Sequence, residues 1–578
     1  MTMHRNFRTL IELFNQLLAR AELAEKDCLQ IVRTDCQEQL TFGQLGDRAR
    51  DFAVYIARNK NIQIGDKVAV LGRNRADWDV AFWGIILSGA VPVLIDPERR
   101  IEGVKKHLIH TDTKLLVLAD DYQNNNCREI LREFLHQRGI GVVEMTVYEK
   151  PTLDNVQVDS RMTKICAEVK GDDTAVILCT SGTTGDPREV EITHTNLIAN
   201  VKGALDVVKI TAQDKLGHII PPHHSFGLTV GKLLPFCVGA TNLYTNKYHR
   251  IPQLISDRGI TIFVGVPALF AAFARRLEEK IAEQKKKKLL IPTFRDRYFP
   301  RLVGKKIVKM FGLSKLRFFI SGAAPLPKWV LEVFWRRGLQ LREGYGTTEA
   351  SPVYGFNSNP KKLGSVGKPI STMSVKIVNE QNETLQTGRT GEIVLGGPCI
   401  AKGYYKNPKA TQAVIETDSD GVRWLRTGDL GYLDEDGYLF ITGRKKYLIV
   451  LPGGKKVFPE LVELVLSKAR YVEEMVVVPG YQKGPAGIQQ EAVRAIVRPA
   501  WEQIEADTKL SREDLLTSPD LLKNLLWQSI NQCQQDSSEL AGFEKIPSKH
   551  HIEIEINEFQ KTSMGKIKRD FYLRHISR

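Results

Sequence analysis

The sequence predicts an α/β protein: a large N-terminal part of stacked, mostly parallel sheets with helices, a small barrel-like subdomain within it, and a smaller α+β C-terminal part. Three observations carry this expectation. Strand-like and helix-like segments alternate through the first 170 residues, the pattern shortens to strands and turns from about Gly391, and mixed α and β returns after Lys446. Taken in order, Asp66 to Leu71 reads as a strand, Asp77 to Leu87 as an apolar helix, and Ala90 to Ile95 as the next strand. Val104 to His110 then reads as a helix and Leu115 to Leu118 as a strand. Such alternation implies βαβ units, because parallel strands need a helical crossover between them. A second set follows, with strands near Thr261 to Val264 and Leu316 to Ile320. Gly391 to Leu395 and Gly437 to Ile441 are short strands between turns, which suits a small barrel or meander over about 365–445. An amphipathic helix is expected around Pro459 to Lys468, and Trp501 to Ser548 carries no readable motif.

Composition sets the outer limits. With 578 residues, 42% of them hydrophobic and 26% charged, the chain has the make-up of a folded protein of more than one domain. Collagen-like, disordered and disulfide-scaffold classes are excluded. The longest uncharged apolar stretch, Ala81 to Ile95, is 15 residues and contains Pro92. A spanning helix needs about 20, so no transmembrane segment is expected. The N-terminus leads into Leu10, Ile11, Leu13, Phe14, Leu17 and Leu18 at helical spacing, without the apolar run and cleavage site of a signal peptide. A cytoplasmic location is therefore expected. The eight cysteines are scattered without metal-ligand spacing and read as ordinary reduced thiols.

The formal net charge of +15 is unevenly placed. Between Arg275 and Lys309, thirteen Lys or Arg face four acidic residues, a net of +9 in 35 positions. Leu277, Ile281, Leu289, Leu290, Ile291, Phe294, Tyr298 and Phe299 interleave. Two readings stay open for 275–309: a surface that rests peripherally on an anionic membrane, or a solvated helical face. No DNA- or RNA-binding motif accompanies the charge, so nucleic acid is not an expected partner.

The apolar run Ala175 to Cys179 feeds Thr180, Ser181, Gly182, Thr183, Thr184, Gly185, Asp186 and Pro187. Small residues let backbone N–H groups close on an anion and hydroxyls add donors, so a phosphate-binding turn or a polar surface turn both fit. No Gly-Lys-Ser/Thr follows Gly185, so this is not a Walker A loop. Further along come Pro221 to Gly227 (Pro-Pro-His-His-Ser-Phe-Gly), Ser321 to Leu326, Glu343-Gly344-Tyr345-Gly346-Thr347-Thr348-Glu349, Gly403-Tyr404-Tyr405, Trp424 to Asp429, Gly443 to Lys446 and Lys561 to Lys566. In this order, and with Thr193 to Asn196, these segments resemble the motifs of the adenylate-forming (ANL) superfamily of AMP-binding enzymes. The likeness runs from about residue 40 to the end and is closest to the long-chain fatty acyl-CoA synthetases.

That resemblance implies a site. Residues 171–200 would form the phosphate-loop region, with Thr180 to Gly185 on the β- and γ-phosphates of ATP. The family's loop ends Pro-Lys-Gly; here Pro187 is followed by Arg188, which keeps the charge but changes donor geometry, and by Glu189, which adds a carboxylate and a Cβ. Glu349 would be the Mg2+ ligand and Thr348 would contact the α-phosphate. Tyr345 would stack on adenine within Glu343, Gly344 and Gly346, with Gly322, Ala323 and Ala324 on the opposite wall. Ala323 stands where many relatives carry glycine. Asp429 would hold the ribose hydroxyls with Arg444 near the same sugar. Lys566 would be the mobile catalytic lysine, Lys446 the hinge between a 1–445 domain and a mobile 446–578 domain, and His224 a gate at the acyl pocket. His223 and His224 lack a third ligand at metal spacing.

The implied reaction is ATP-dependent activation of a carboxylic acid, a medium- or long-chain fatty acid, to acyl-AMP, followed by transfer to coenzyme A. Two alternatives are an acyl-AMP ligase delivering to an acyl carrier protein and a non-catalytic nucleotide- or lipid-binding relative.

Overall fold

The computed structural model describes residues 7–120, 122, 125–145, 164–180, 188–286, 312–451, 454–483, 489–562 and 565–576. Two large sheets dominate it. In the first, seven strands lie in the order Gly403–Tyr404, Arg188–Thr193, Thr174–Thr180, Val91–Ile95, Lys67–Leu71, Thr113–Leu118 and Gly141–Glu144. The last five run parallel, and the first two are added antiparallel at one edge. In the second, eight strands lie in the order Val353–Asn357, Leu341–Gly346, Phe318–Ser321, Ile262–Gly265, Lys215–His218, Thr241–Thr245, Asp27–Val32 and Gln37–Thr41. Only the outermost pair at each end is antiparallel. The parallel strands are nearly continuous apolar runs, as strands covered on both faces must be.

The helix Ala76–Leu87 is the clearest case of sequence dictating burial. Every residue in it but Asp77 is buried, and Trp78 and Phe82 stack with centroids 5.5 Å apart. A helix apolar all round has no face to give to water. Removing a side chain of this size from water stabilises the fold by about 1.5–3 kcal/mol each. Its one buried charge, Asp79, is answered by Lys232 at 2.6 Å, so neither ion is left alone in the interior.

Motif residues outside the site also have structural work. Thr193 and Asn196 form a capping box on the helix His194–Val208, and the Asn196 amide donates to the carbonyls of Pro398 at 2.7 Å and Ile400 at 2.9 Å. That pair ties the phosphate-loop region to the chain leading into Gly403–Tyr404.

The segment 365–445 contains an antiparallel sheet of Ser374–Val378, Gly391–Gly396, Ile415–Thr417, Arg423–Leu433 and Leu439–Arg444, in which the long strand Arg423–Leu433 pairs with three neighbours. Beyond it, the strands Val472–Lys483, Gln489–Pro499 and Ile552–Ile554 form a separate sheet. The stretch without a readable motif supplies the helices Trp501–Thr508, Arg512–Thr517 and Pro519–Asp536, whose Ile504, Leu522, Leu526 and Ile530 fill a core shared with Val462 and Val477. This core is distinct from the one beneath the large sheets.

The two parts touch through polar groups at Ser467: Trp329 Nε1 donates to its hydroxyl at 3.2 Å, and Arg275 donates to its carbonyl at 3.1 Å. Lys328 lies 3.6 Å from Glu539. Arg275 comes from the basic stretch, so that stretch is partly engaged with the C-terminal part; its residues from 287 onward lie outside the described residues. Among the described residues no helix is long and apolar enough to cross a membrane.

Candidate active site

The strand Leu341–Gly346 delivers most of the site. At Gly346 a Cβ would lie 1.6 Å from the Pro352 carbonyl oxygen, so only glycine lets the returning strand come this close. Between Gly344 and Gly346, Tyr345 reaches out, and its hydroxyl donates to Asp429 Oδ2 at 2.6 Å. Arg444 Nε lies 3.0 Å from the other oxygen, Oδ1. Asp429 and Arg444 are direct partners across antiparallel strands, which explains how residues fifteen apart meet at one carboxylate. Burial, then the Asp429 charge, push the Tyr345 phenol well up, so it stays a donor. The putting together of Tyr345, Asp429 and Arg444 joins three residues that the sequence assigned to one nucleoside from separate motifs.

Lys566 arrives at the same place from the far end of the chain. It sits in a tight turn closed by Gly565 N to Thr562 O and Thr562 N to Lys566 O, both 2.8 Å, with Gly565 at φ +75°. Burial pushes its ammonium down to about 8, helped by Arg444 and opposed by Asp429 and Glu460. Asp429, Glu460 and Arg444 are thus among the charges that the amine feels, while the ion pair on Asp429 is made by Arg444. Lys446 lies in the short turn after Arg444 and pairs with Asp570 at 2.9 Å, four residues beyond Lys566.

Glu349 follows on the 3-10 turn Thr348–Ala350. Its Oε1 accepts from the Tyr404 hydroxyl at 2.8 Å, and Oε2 accepts from Thr347 Oγ1. Both donors are neutral hydroxyls, so the carboxylate is oriented without its charge being cancelled. That suits a hard cation, and Mg2+ takes one or two carboxylates plus phosphate oxygens and waters. Among the described residues no group of three or more His, Cys, Asp or Glu forms a metal cage, so Glu349 would act with the phosphates of the nucleotide. Thr348 is set by Ser225, hydroxyl to hydroxyl at 3.0 Å. The histidine motif thus meets the glutamate motif. His224 is half-buried, its Nδ1 accepting from Phe226 N at 3.3 Å, and burial lowers its imidazole to about 4.

The turn 322–326 closes the opposite wall. Phe226 packs on Gly322, where a Cβ would meet its ring at 2.8 Å. Ala323 adopts φ +70°, a left-handed conformation that L-residues resist and glycine adopts freely. Glu343 does not face outward: it is buried beneath this turn, Oε1 accepting from Leu326 N at 3.1 Å, and burial raises its carboxyl to about 8. Burial thus favours its neutral form, and it braces the turn from beneath.

The strands Thr174–Thr180 and Arg188–Thr193 flank the glycine-rich turn and pair Thr180 with Arg188 and Cys179 with Glu189. Ser181, Gly182, Thr183, Thr184 and Gly185 lie outside the described residues. Arg188 lies over the Tyr404 ring at 5.0 Å. Tyr404 is the functional residue that sequence reasoning missed; it was visible within Gly403-Tyr404-Tyr405, but its contact with Glu349 spans 55 positions.

Comparison with known proteins gives the family and the fold. The AMP-binding enzyme family matches residues 20–405, and the chain belongs to that family. Among curated proteins, a Salmonella typhimurium "long-chain-fatty-acid–CoA ligase" is 26% identical over 545 residues, covering 88% of each chain. A chloroplastic "long-chain-fatty-acid–[acyl-carrier-protein] ligase" of Arabidopsis thaliana is 27% identical, covering 87% of this chain and 77% of that protein. Among solved structures, ATP-bound MatB of Rhodopseudomonas palustris superposes with a TM-score of 0.73 at 22% identity, covering 98% of both chains. The anthranilate CoA ligase AuaEII with anthranoyl-AMP gives 0.73 at 21% identity over 99% and 97%. These structures share the fold of this chain.

Proposed function

We propose that the protein is an acid–thiol ligase that uses ATP and Mg2+ to convert a medium- or long-chain fatty acid to its acyl-AMP and then passes the acyl group to coenzyme A. The observation that carries this reading is the Tyr345–Asp429–Arg444 cluster, whose carboxylate suits ribose hydroxyls. Support comes from Glu349 and Thr348, each held by a hydroxyl, and from Lys566, whose amine feels the Asp429 and Arg444 charges.

In the first step a carboxylate oxygen attacks the α-phosphorus and the bond to the β-phosphate oxygen breaks, releasing pyrophosphate. Two anions approach, so fixed positive charge and donors must be in place beforehand. Lys566 supplies the charge nearest the attacking oxygen and Thr348 a hydroxyl at the α-phosphate. Tyr345, Asp429 and Arg444 hold the nucleoside, with the Tyr345 and Arg444 contacts on Asp429 shared with the ribose hydroxyls. Glu349 would hold Mg2+ together with the phosphates, and the ion would supply positive charge for the pyrophosphate that leaves. In the second step the thiol sulfur attacks the acyl carbon, AMP leaves with the bonding electron pair, and the thiol proton passes to solvent. Lys446 is the hinge that lets 446–578 withdraw Lys566 between steps.

The fatty-acid assignment is supported by the curated relatives, and ATP with Mg2+ by the bound states of the structural neighbours, including a Bacillus subtilis o-succinylbenzoate CoA synthetase with ATP and magnesium. The Arabidopsis relative favours a second acceptor, an acyl carrier protein, whose acidic surface would suit a chain of net charge +15. The non-catalytic alternative rested on Arg188 and Glu189; the pairing of buried Glu189 with His107 and His110 supports a structural role for that residue and so weighs against the alternative. The test is carboxylate-dependent ATP–pyrophosphate exchange over octanoate, palmitate and oleate, then thioester formation with coenzyme A or holo acyl carrier protein. Absence of exchange with every acid overturns the reading.

A further inference from the structure

Glu189 takes no part in the steps above, yet it is among the most deeply placed charges in the N-terminal part, 5% exposed. Its Oε1 lies 2.6 Å from His107 Nδ1 and its Oε2 lies 3.0 Å from His110 Nδ1, both on the helix Ile101–His110. Arg99 Nη1 meets the other ring nitrogen of His107. An arginine can only donate, so His107 Nε2 accepts, and the Nδ1 proton goes to Glu189. The result is a relay of fixed polarity, Arg99 to neutral His107 to Glu189 carboxylate. Burial and Arg99 push the His107 imidazole down; burial works against ionised Glu189, but the two histidines hold its carboxyl below the usual range.

The main chain of Glu189 grips a third element. Its carbonyl accepts from Tyr405 N at 2.8 Å, and the Tyr405 ring stands edge-on to His110 at 6.0 Å. Successive residues of an extended chain point to opposite sides, so while Tyr405 faces this cluster, Tyr404 faces the site. There its hydroxyl holds Glu349 and its ring underlies Arg188, the residue directly before Glu189. One residue of the strand leaving the phosphate turn therefore joins the helix 101–110 through its side chain and the segment that orients Glu349 through its carbonyl, with the His110–Tyr405 ring contact linking the two. A cavity of about 260 Å³, lined by His110, Arg188, Glu189 and Tyr404 among others, adjoins the clamp, so a shorter residue at 189 admits water there.

We propose that Glu189 is a positioning residue for adenylation: through His107, His110 and the Tyr405 backbone it fixes Arg188 and Tyr404, and with them the Glu349 carboxylate, for the phosphates and their cation. This rests on the function proposed above, and the two can fail separately. The wild-type chain is first assayed for pyrophosphate exchange with the three fatty acids; no exchange overturns the function and this inference with it. Given exchange, Glu189→Ala is expected to raise the KM for MgATP by about tenfold, as loss of outer support for a metal-binding carboxylate does. Conversion of supplied palmitoyl-AMP to thioester should stay within about twofold of wild type. Glu189→Gln, which keeps an oxygen acceptor for the His107 proton, should recover most of the loss. In a Tyr404→Phe background, Glu189→Ala should add little, because both act on the same carboxylate. An unchanged KM, an equal fall in both half-reactions, or multiplying effects of the two substitutions overturns the proposal. If Glu189→Ala does not fold, His107→Asn and Glu189→Gln are compared instead, and His107→Asn must raise the KM selectively for the proposal to stand.

Discussion

Replacing Lys566 tests the chemistry at its most exposed point. Burial and Arg444 lower its ammonium to about 8 while Asp429 and Glu460 hold it up, so in the free enzyme it titrates where assays are practical. The charged form is the working form. The kcat/KM for adenylation reports the free enzyme, so it should be level below about pH 7 and fall about tenfold between pH 7 and 9. Lys566→Arg keeps its charge throughout that window and should lose the alkaline limb, whatever its absolute rate. Lys566→Ala removes a preorganised donor at a point of growing charge, which costs on the order of 10²–10³ in rate. The assay is pyrophosphate exchange with fatty acid and MgATP both well below their KM, run beside thioester formation from supplied acyl-AMP. The second half-reaction should be largely spared. If both halves fall equally in Lys566→Ala, or if Lys566→Arg retains the same limb, the assignment of Lys566 to adenylation is wrong.

Three further outcomes follow from single features. Ala323→Gly relieves a left-handed alanine of about 1–2 kcal/mol of strain against a glycine entropy cost of about 0.5–1, so urea unfolding should show a net gain of about 0.5–1 kcal/mol. Glu343 has a folded pKa of about 8 against an ordinary 4.5, so its contribution to stability is fully present below pH 4.5 and is lost as pH rises to 8. Glu343→Gln should therefore stabilise the protein more at pH 8 than at pH 5, by thermal unfolding at both. Tyr404→Phe deletes the donor on Glu349 Oε1 and should raise the Mg2+ concentration needed for half-maximal exchange by about tenfold, with thioester formation from acyl-AMP unchanged.

Much of this was legible in the sequence because the chemistry is written in short segments. Ala76 to Leu87 announces a buried helix by having no polar face, and the strand runs at Val91 to Ile95 and Thr174 to Thr180 announce a covered parallel sheet. The motif around Glu349 and the tail around Lys566 could be read as parts of one site only through their family resemblance; no local pattern shows that the tail reaches Asp429. What stayed hidden depends on geometry set from elsewhere. Glu189 looked like an intrusion into the phosphate turn, but strand pairing with Cys179 turns it toward His107, and a one-residue change of register would have reversed that. Glu343, read as part of the nucleotide wall, lies beneath it for the same reason. The strain at Ala323 is a backbone angle, and composition carries no trace of it. The helices from Trp501 to Asp536 went unread because they make a core and no chemistry.

The way the two parts meet at Ser467 has a consequence for how the molecule works. One serine takes a tryptophan on its hydroxyl and, on its carbonyl, the arginine that lies over the same tryptophan ring, and among the described residues the two parts keep separate apolar cores. Water can replace each of these bonds as soon as it is broken, so parting costs little and re-forming gains little. A joint of that kind neither welds nor repels, which is what the proposed swing of 446–578 about Lys446 would require.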